Sequence, residues 1–317
     1  MAISPDSQTI ATHCANAYKY IYLWNLATGK VIRRFSIPSE DFTMNSIAIS
    51  PNNQILASVY RDYPDKIYLW NISNGSLTHT FTRNRASYVS IAFSPDSKIL
   101  ASGTGNGTVE LWDVSTGQQI RTLRHFEVKE DPNDGSSVSS VVFSPDGETI
   151  ASSGIFYRDF NEPQGGTVKL WDVSTGKELH TFTIDYQIYS IDIAISPDGQ
   201  TLGIASSDGT IKLYSDGTIK LYNLASQQEK YTLKVNYWPA FFAFGLDNTL
   251  FVSGGYLNNN TLTLSVIDAN EDLLSITLVD PDFSNLTVTP DGQFLVSGSD
   301  QINSGSDQIR LWRIPKF

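Results

Sequence analysis

Short alternations of apolar and polar residues run the length of this chain, and none is long enough to make a helix face. Ser140-Val141-Val142-Phe143, Thr149-Ile150-Ala151-Ser152, Thr167-Val168-Lys169-Leu170-Trp171 and Leu179-His180-Thr181-Phe182 follow one another in sequence. Period-2 patterning rich in β-branched and aromatic residues predicts strands; no useful stretch carries the 3.6-residue helical period. Turn chemistry separates the strands. In Pro145-Asp146-Gly147, Pro presets φ, Asp bonds back to the local backbone and Gly accepts a left-handed conformation. "DVSTG" (Asp172 to Gly176) is a second turn ending in Gly.

The pattern repeats. The tetrapeptide type "ISPD" starts its Ser or equivalent at 4, 50, 94, 144, 196, 245 and 289, the sixth in degraded form as Phe244-Gly245-Leu246-Asp247. A second marker follows each one: Leu23-Trp24, Leu69-Trp70, Leu111-Trp112, Leu170-Trp171, Leu221-Tyr222, Leu264-Ser265 and Leu311-Trp312. Four strands per unit, seven units and no helix are the signature of radial repetition.

The run "FSPDG…ASS…GTVKLWDVSTGKELHTF" (Phe143 to Phe182) resembles the WD repeat, and bacterial WD-repeat proteins in particular. The resemblance covers essentially the whole chain and is weakest in the sixth unit. There Ser265 replaces the aromatic residue and Asn270 stands where Gly would sit. It implies an all-β, seven-bladed propeller of four-stranded antiparallel blades in one domain, 1–317. The blades are expected at 1–36, 45–82, 88–124, 138–183, 191–234, 240–279 and 285–317. The family often places a Gly-His pair before the first strand, its His joining a buried network with Asp, Ser and Trp. Only His125 stands near such a position. Few or none of those networks are therefore expected, with cohesion resting on apolar packing. Closed members usually complete the last blade with a strand from ahead of the first repeat. Met1 begins inside the first strand, so the last blade is expected to be three-stranded, with a bare edge that invites self-association.

Two tandem duplications interrupt the pattern: "SDGTIKLY" at 207–214 and again at 215–222, and "SGSDQIN" at 297–303 followed by "SGSDQIR" at 304–310. Both fall just before a third strand. One copy is expected to pair while the other lengthens a surface loop, at little cost in closure entropy. The next turn sets the register.

Charge and cysteine usage narrow the partners. Lys plus Arg is 22 against 33 Asp plus Glu, a net charge of −11 that repels a phosphate backbone and excludes nucleic acid. Cys14 stands alone, so no internal disulfide forms and a reducing compartment fits. The N-terminus has neither part of a signal peptide, and "YWPAFFAFGL" (237–246) is far too short to cross a bilayer. A cytoplasmic protein without membrane partners is the expectation.

Candidate chemistry is sparse. His79 and His180 occupy one repeated slot in fourth strands, and no histidine has a second ligand at metal spacing. "GTGNG" (103–107) precedes a strand rather than a helix, so it reads as a hairpin turn, not a phosphate cradle. "DPNDG" (131–135) has the wrong spacing for calcium, with Pro132 intruding and Val142 at the twelfth position. No catalytic set, metal or cofactor is expected.

The resemblance also implies that two loops of each blade, between strands four and one and between strands two and three, open on one face. These loops are aromatic. "YRDYPDK" (60–66) and "YRDFNEP" (157–163) are near-copies. The candidate partner-binding residues are Tyr60, Arg61, Tyr63, Tyr157, Arg158, Phe160, Tyr186, Tyr189, Tyr237 and Trp238, of the types that dominate binding hot spots. Packing between neighbouring loops is the competing role, and Asp62 and Asp159 stand ready to neutralise the two Arg. The function expected is a non-enzymatic scaffold for protein or peptide partners. The alternative is a sensor domain of a larger signalling protein such as a kinase or NTPase; a propeller enzyme stands third.

Overall fold

The computed structural model describes every residue except 14–19, 39–42, 62–64, 84–87, 127–135, 158–162, 186–187, 209–216, 236–237, 246, 257–260, 268–272, 280–284, 300–307 and 315–317. Strands β1 (Ala2–Ile3), β2 (Thr9–His13), β3 (Tyr20–Asn25) and β4 (Lys30–Ser36) pair in chain order. The next sheet holds β5 (Thr43–Ile49), β6 (Ile55–Arg61), β7 (Asp65–Asn71) and β8 (Leu77–Arg83). A third is β9 (Tyr88–Phe93), β10 (Ile99–Thr104), β11 (Thr108–Asp113) and β12 (Gln119–Arg124). The fourth is β13 (Ser137–Phe143), β14 (Thr149–Tyr157), β15 (Pro163–Asp172) and β16 (Glu178–Asp185). Then come β17 (Ile188–Ile195), β18 (Thr201–Asp208), β19 (Gly217–Asn223) and β20 (Glu229–Val235). They are followed by β21 (Trp238–Phe244), β22 (Leu250–Tyr256), β23 (Thr261–Ile267) and β24 (Leu273–Val279). Last are β25 (Asn285–Val288), β26 (Phe294–Ser299) and β27 (Gln308–Arg313).

The expected seven-bladed propeller is corrected to six complete four-stranded blades and the three-stranded sheet β25–β27. In the first five sheets an Asn- or Asp-led turn such as Asp172–Gly176 reverses the chain into a fourth strand. After β27 the sequence runs Ile314-Pro315, without that turn. The contacts divide the chain into two compact units, one of Met1–Tyr88 with Asp280–Phe317, the other of Val89–Val279.

Every first-to-second-strand turn but the sixth, where Gly245 stands, is tied by a buried hydroxyl. Ser144 Oγ donates to Asp146 Oδ1 and accepts from Thr149 N at 2.9 Å, and Ser4, Ser50, Ser94, Ser196 and Thr289 repeat the arrangement. The Ser144 hydroxyl and then the Glu148 N–H hold the Asp146 carboxyl below its usual range.

Within each unit the core lies between successive sheets. In the first unit Ile21, Leu23, Phe35 and Ile37 pack with Leu56, Tyr60, Tyr68 and Trp70. In the second, Ala101, Val109, Leu111 and Leu123 pack with Val138, Val141, Ile150 and Trp171, and similar clusters follow down the chain. Both duplications resolve alike: Ser207 of the first copy ends the ladder opposite Gly217 of the second, and β27 likewise begins in a second copy. The Asn223 turn, whose Oδ1 accepts from Ser226 N at 2.8 Å, must follow the third strand directly, so the adjacent copy pairs.

Candidate functional site

Register places the candidate loops at one end of each sheet. Ile188 of β17 lies opposite Asp208 of β18, and Trp238 of β21 opposite Gly255 of β22. The loop entering a first strand and the loop leaving a second therefore emerge side by side. Arg61 closes β6 opposite Thr43, and Tyr157 closes β14 opposite Pro163. Arg61, Tyr157, Tyr189 and Trp238 thus stand at strand ends of this kind. Tyr63, Arg158, Phe160, Tyr186 and Tyr237 lie outside the described residues.

Tyr60 is not a rim residue. It is 0% exposed, its ring 5.9 Å from Tyr68 and 5.7 Å from His13, and burial drives its phenol far above the usual range. The two "YRD" copies are also out of register. Ser58 and Ser152 occupy one position, each accepting from the indole of its own blade, Trp70 at 3.1 Å and Trp171 at 2.8 Å. Tyr60 comes two residues after Ser58, whereas Tyr157 comes five after Ser152, because β14 is the longer strand.

Polar groups that sequence reasoning underrated line the interior. An indole-to-hydroxyl bond recurs from Trp24 to Thr12 at 2.9 Å and from Trp112 to Ser102 at 3.1 Å. In the fourth sheet it grows into a network. His125 Nδ1 sits 2.7 Å from Ser152 Oγ and Nε2 sits 2.9 Å from Thr167 Oγ1. Burial first, then the charge of Lys169, lowers the His125 imidazole to about 3, so it is neutral at pH 7 and both nitrogens are engaged. That is a structural histidine, not a general base.

Asp192 on β17 was also missed. Its Oδ1 accepts from Ser140 Oγ at 3.1 Å and from Ile193 N at 2.9 Å, while burial pushes the carboxyl up to about 6. The signal was a lone Asp in "SIDIAI" at the position where other units carry Ser46, Ser90 and Ser140. Among the described residues no group of three or more His, Cys, Asp or Glu could hold a metal ion, and no helix is long and apolar enough to cross a membrane.

The repeats themselves match a known family. The WD domain, G-beta repeat family matches residues 75–113, 117–172 and 176–223. Over those residues the chain is similar to WD repeats. Each matched WD segment opens at a turn Gly and supplies the fourth strand of one sheet and the first three of the next. Apoptotic protease-activating factor 1 of Homo sapiens is 33% identical over 110 residues, 35% of this chain and 8% of that protein. WD repeat-containing protein SL1-17 of Schistosoma mansoni is 30% identical over 138 residues, 44% of this chain and 40% of that protein. The chain therefore spans well under two thirds of the length of these curated relatives. A chain of Kuenenia stuttgartiensis Hydrazine Synthase aligns with a TM-score of 0.76 over 99% of this chain and 94% of its own, at 14% identity. That likeness is one of fold alone.

Proposed function

We propose that this chain is a non-catalytic, cytoplasmic platform for protein or peptide partners, one bacterial-type WD-repeat domain over 1–317. The partner sits on the strand-end loops that carry Arg61 and Tyr63 in the second sheet and Tyr157, Arg158 and Phe160 in the fourth. Tyr186, Tyr189, Tyr237 and Trp238 flank the first strands. The observation that carries this reading is the pairing of loops at one end of each sheet, where Arg and aromatic residues concentrate. Guanidinium groups bind carboxylate or phosphate in bidentate geometry while rings supply apolar area, so the partner is an extended acidic or phosphorylated peptide. Tyr60 belongs to the core and has no place in it.

A pull-down read by mass spectrometry identifies the partner. Arg61→Ala with Arg158→Ala then weakens binding at least about tenfold, roughly 1.4 kcal/mol, and leaves the Tm within a few degrees. Unchanged affinity, or loss of the fold, overturns the site. A second reading, a sensor domain of a larger signalling protein such as a kinase or NTPase, is favoured by the small share of the human relative that this chain matches. Sequencing the flanking coding region for an in-frame upstream domain tests it.

A further inference from the structure

The bend between third and fourth strands carries a different residue in one sheet. Thr28, Thr116 and Thr175 stand just before its Gly, and each hydroxyl donates to the Asn25, Asp113 or Asp172 that leads the bend, at 2.9, 2.9 and 2.6 Å. Ser226 holds the place in the fifth sheet. In the second sheet the residue is Asn74, followed by Gly75. Its Oδ1 turns forward and accepts from Ser76 N at 2.8 Å, and its side chain is exposed. An Asn amide before Gly is open to attack by the next backbone nitrogen, because Gly has no Cβ to hinder the approach. The chain has one other such pair, Asn106-Gly107, and there the surroundings oppose the reaction. Asn106 Oδ1 accepts from Thr104 Oγ1 at 2.5 Å and from Thr108 Oγ1 at 3.1 Å. Gly107 is buried, its carbonyl oxygen accepts from His125 N and Phe126 N at 3.0 Å, and a Cβ on it would lie 3.0 Å from Phe126.

We propose that Asn74 is a site of self-modification in the folded chain, with water as the only co-reactant. The Gly75 nitrogen gives up its proton and bonds to Asn74 Cγ; the Cγ–Nδ2 bond breaks, and the amide leaves as ammonia with that proton. The five-membered imide then adds one water. Opening at the side-chain carbonyl leaves an aspartate at 74; opening at the main-chain carbonyl routes the backbone through the β-carbon and lengthens it by one carbon. The bend has no slack for that carbon. Gly75 N donates to Asn71 O at 2.8 Å while Arg33 Nη2 donates to the Ser73 carbonyl at 2.7 Å. Arg33 also lies over Gly75, its Cδ 3.2 Å from where a Cβ would stand. The lengthened product therefore loosens the strut by which the first sheet holds the second.

The test incubates the 317-residue chain in mildly alkaline buffer made with heavy-oxygen water, then maps the digest by mass. Heavy oxygen is expected at Asn74 at least tenfold sooner than at Asn106, whereas short peptides of 71–78 and 103–110 react at like rates. Asn74→Thr copies the bend of the other sheets, so it should fold and take up no heavy oxygen there. The Tm should fall as Asn74 converts, and should fall less in Arg33→Ala, whose strut is already gone. No uptake at Asn74, or uptake at Asn106 as fast or faster, overturns the site. A 103–110 peptide as slow as the folded Asn106 overturns the part given to the fold. An equal fall in Tm in Arg33→Ala overturns the link to the strut; if that variant does not fold, the ratio of the two sites in the unaltered chain still decides the site.

Discussion

The joint between the first and second sheets and the joint between the third and fourth share one frame and are filled with opposite chemistry. Both rest on an indole bonded to a serine, Trp70 to Ser58 and Trp171 to Ser152. Two residues past the serine stands Tyr60 in one and Gly154 in the other. Tyr60 fills its space with a ring, beside Ile37 from the end of β4. At Gly154 there is no room: a Cβ would lie 2.5 Å from Phe126 Cε2 and 2.9 Å from the Ser137 carbonyl oxygen. His125, which matches Ile37, brings Phe126 into that space and bonds the serine. One joint is closed by aromatic packing and the other by a neutral imidazole. The second carries a proton-sensitive part in His125.

The largest effect should come from emptying the aromatic joint. Tyr60→Ala removes a fully buried ring and should cost about 3–5 kcal/mol in urea unfolding, as large-to-small core changes do. Gly154→Ala should cost about 1–3 kcal/mol through overpacking. A neutral Tyr60→Ala would return Tyr60 to the surface and end the contrast.

Acid should separate the joints next. The folded state holds His125 near 3 against an ordinary 6.5, so below pH 6.5 the unfolded chain binds a proton that the folded chain refuses. Stability from this group is full above 6.5 and is lost progressively as pH falls toward 3. Asp192 works the other way. Its carboxyl is raised from 3.8 to about 6, so acidification through that window adds stability, fully present below 3.8. Urea midpoints between pH 7 and 4 should fall less steeply in His125→Ile than in wild type, and more steeply in Asp192→Asn. Tyr60→Ala should run parallel to wild type. Parallel curves for His125→Ile would remove the imidazole from the account.

The smallest difference concerns the surface of the joints. Arg121 donates to the carbonyls of Thr175 at 2.7 Å and Ser174 at 2.9 Å, whereas Arg33 donates to that of Ser73 alone at 2.7 Å. Arg121→Ala should cost about 1–2 kcal/mol and Arg33→Ala about half that, at roughly 1 kcal/mol per net hydrogen bond. Equal losses in thermal unfolding would mean that the second bond contributes nothing.

Strands and turns were legible because their causes are local. Proline, Asp and Gly at fixed offsets make the turns, and alternation makes the strands. That one copy of each duplication pairs while the other lengthens a loop was legible for the same reason, but which copy pairs came only from the ladder, where Ser207 faces Gly217. The rim residues were harder. "YRD" at 60 and 157 is one string, but the two copies stand at different distances from the serine of their strands, because β14 runs on in a ladder to Tyr157 and Pro163. The local pattern does not encode that pairing. His125 and Asp192 were hidden for a related reason: their partners Ser152 and Ser140 lie 27 and 52 residues away.

Arg33 and Arg121 grip carbonyl oxygens, and a carbonyl is the same whatever side chain it precedes. The turns they hold differ in sequence, Asn71–Gly75 against Asp172–Gly176, but bend alike. Asn71 Oδ1 accepts from Asn74 N at 3.1 Å, and Asp172 Oδ1 from Thr175 N at 2.7 Å. Such a coupling reads the shape of the neighbour and ignores its spelling. Sheets joined in this way are exchangeable parts: one can be replaced by any other that ends its third strand in the same bend, and the side chains of the new turn need no adjustment.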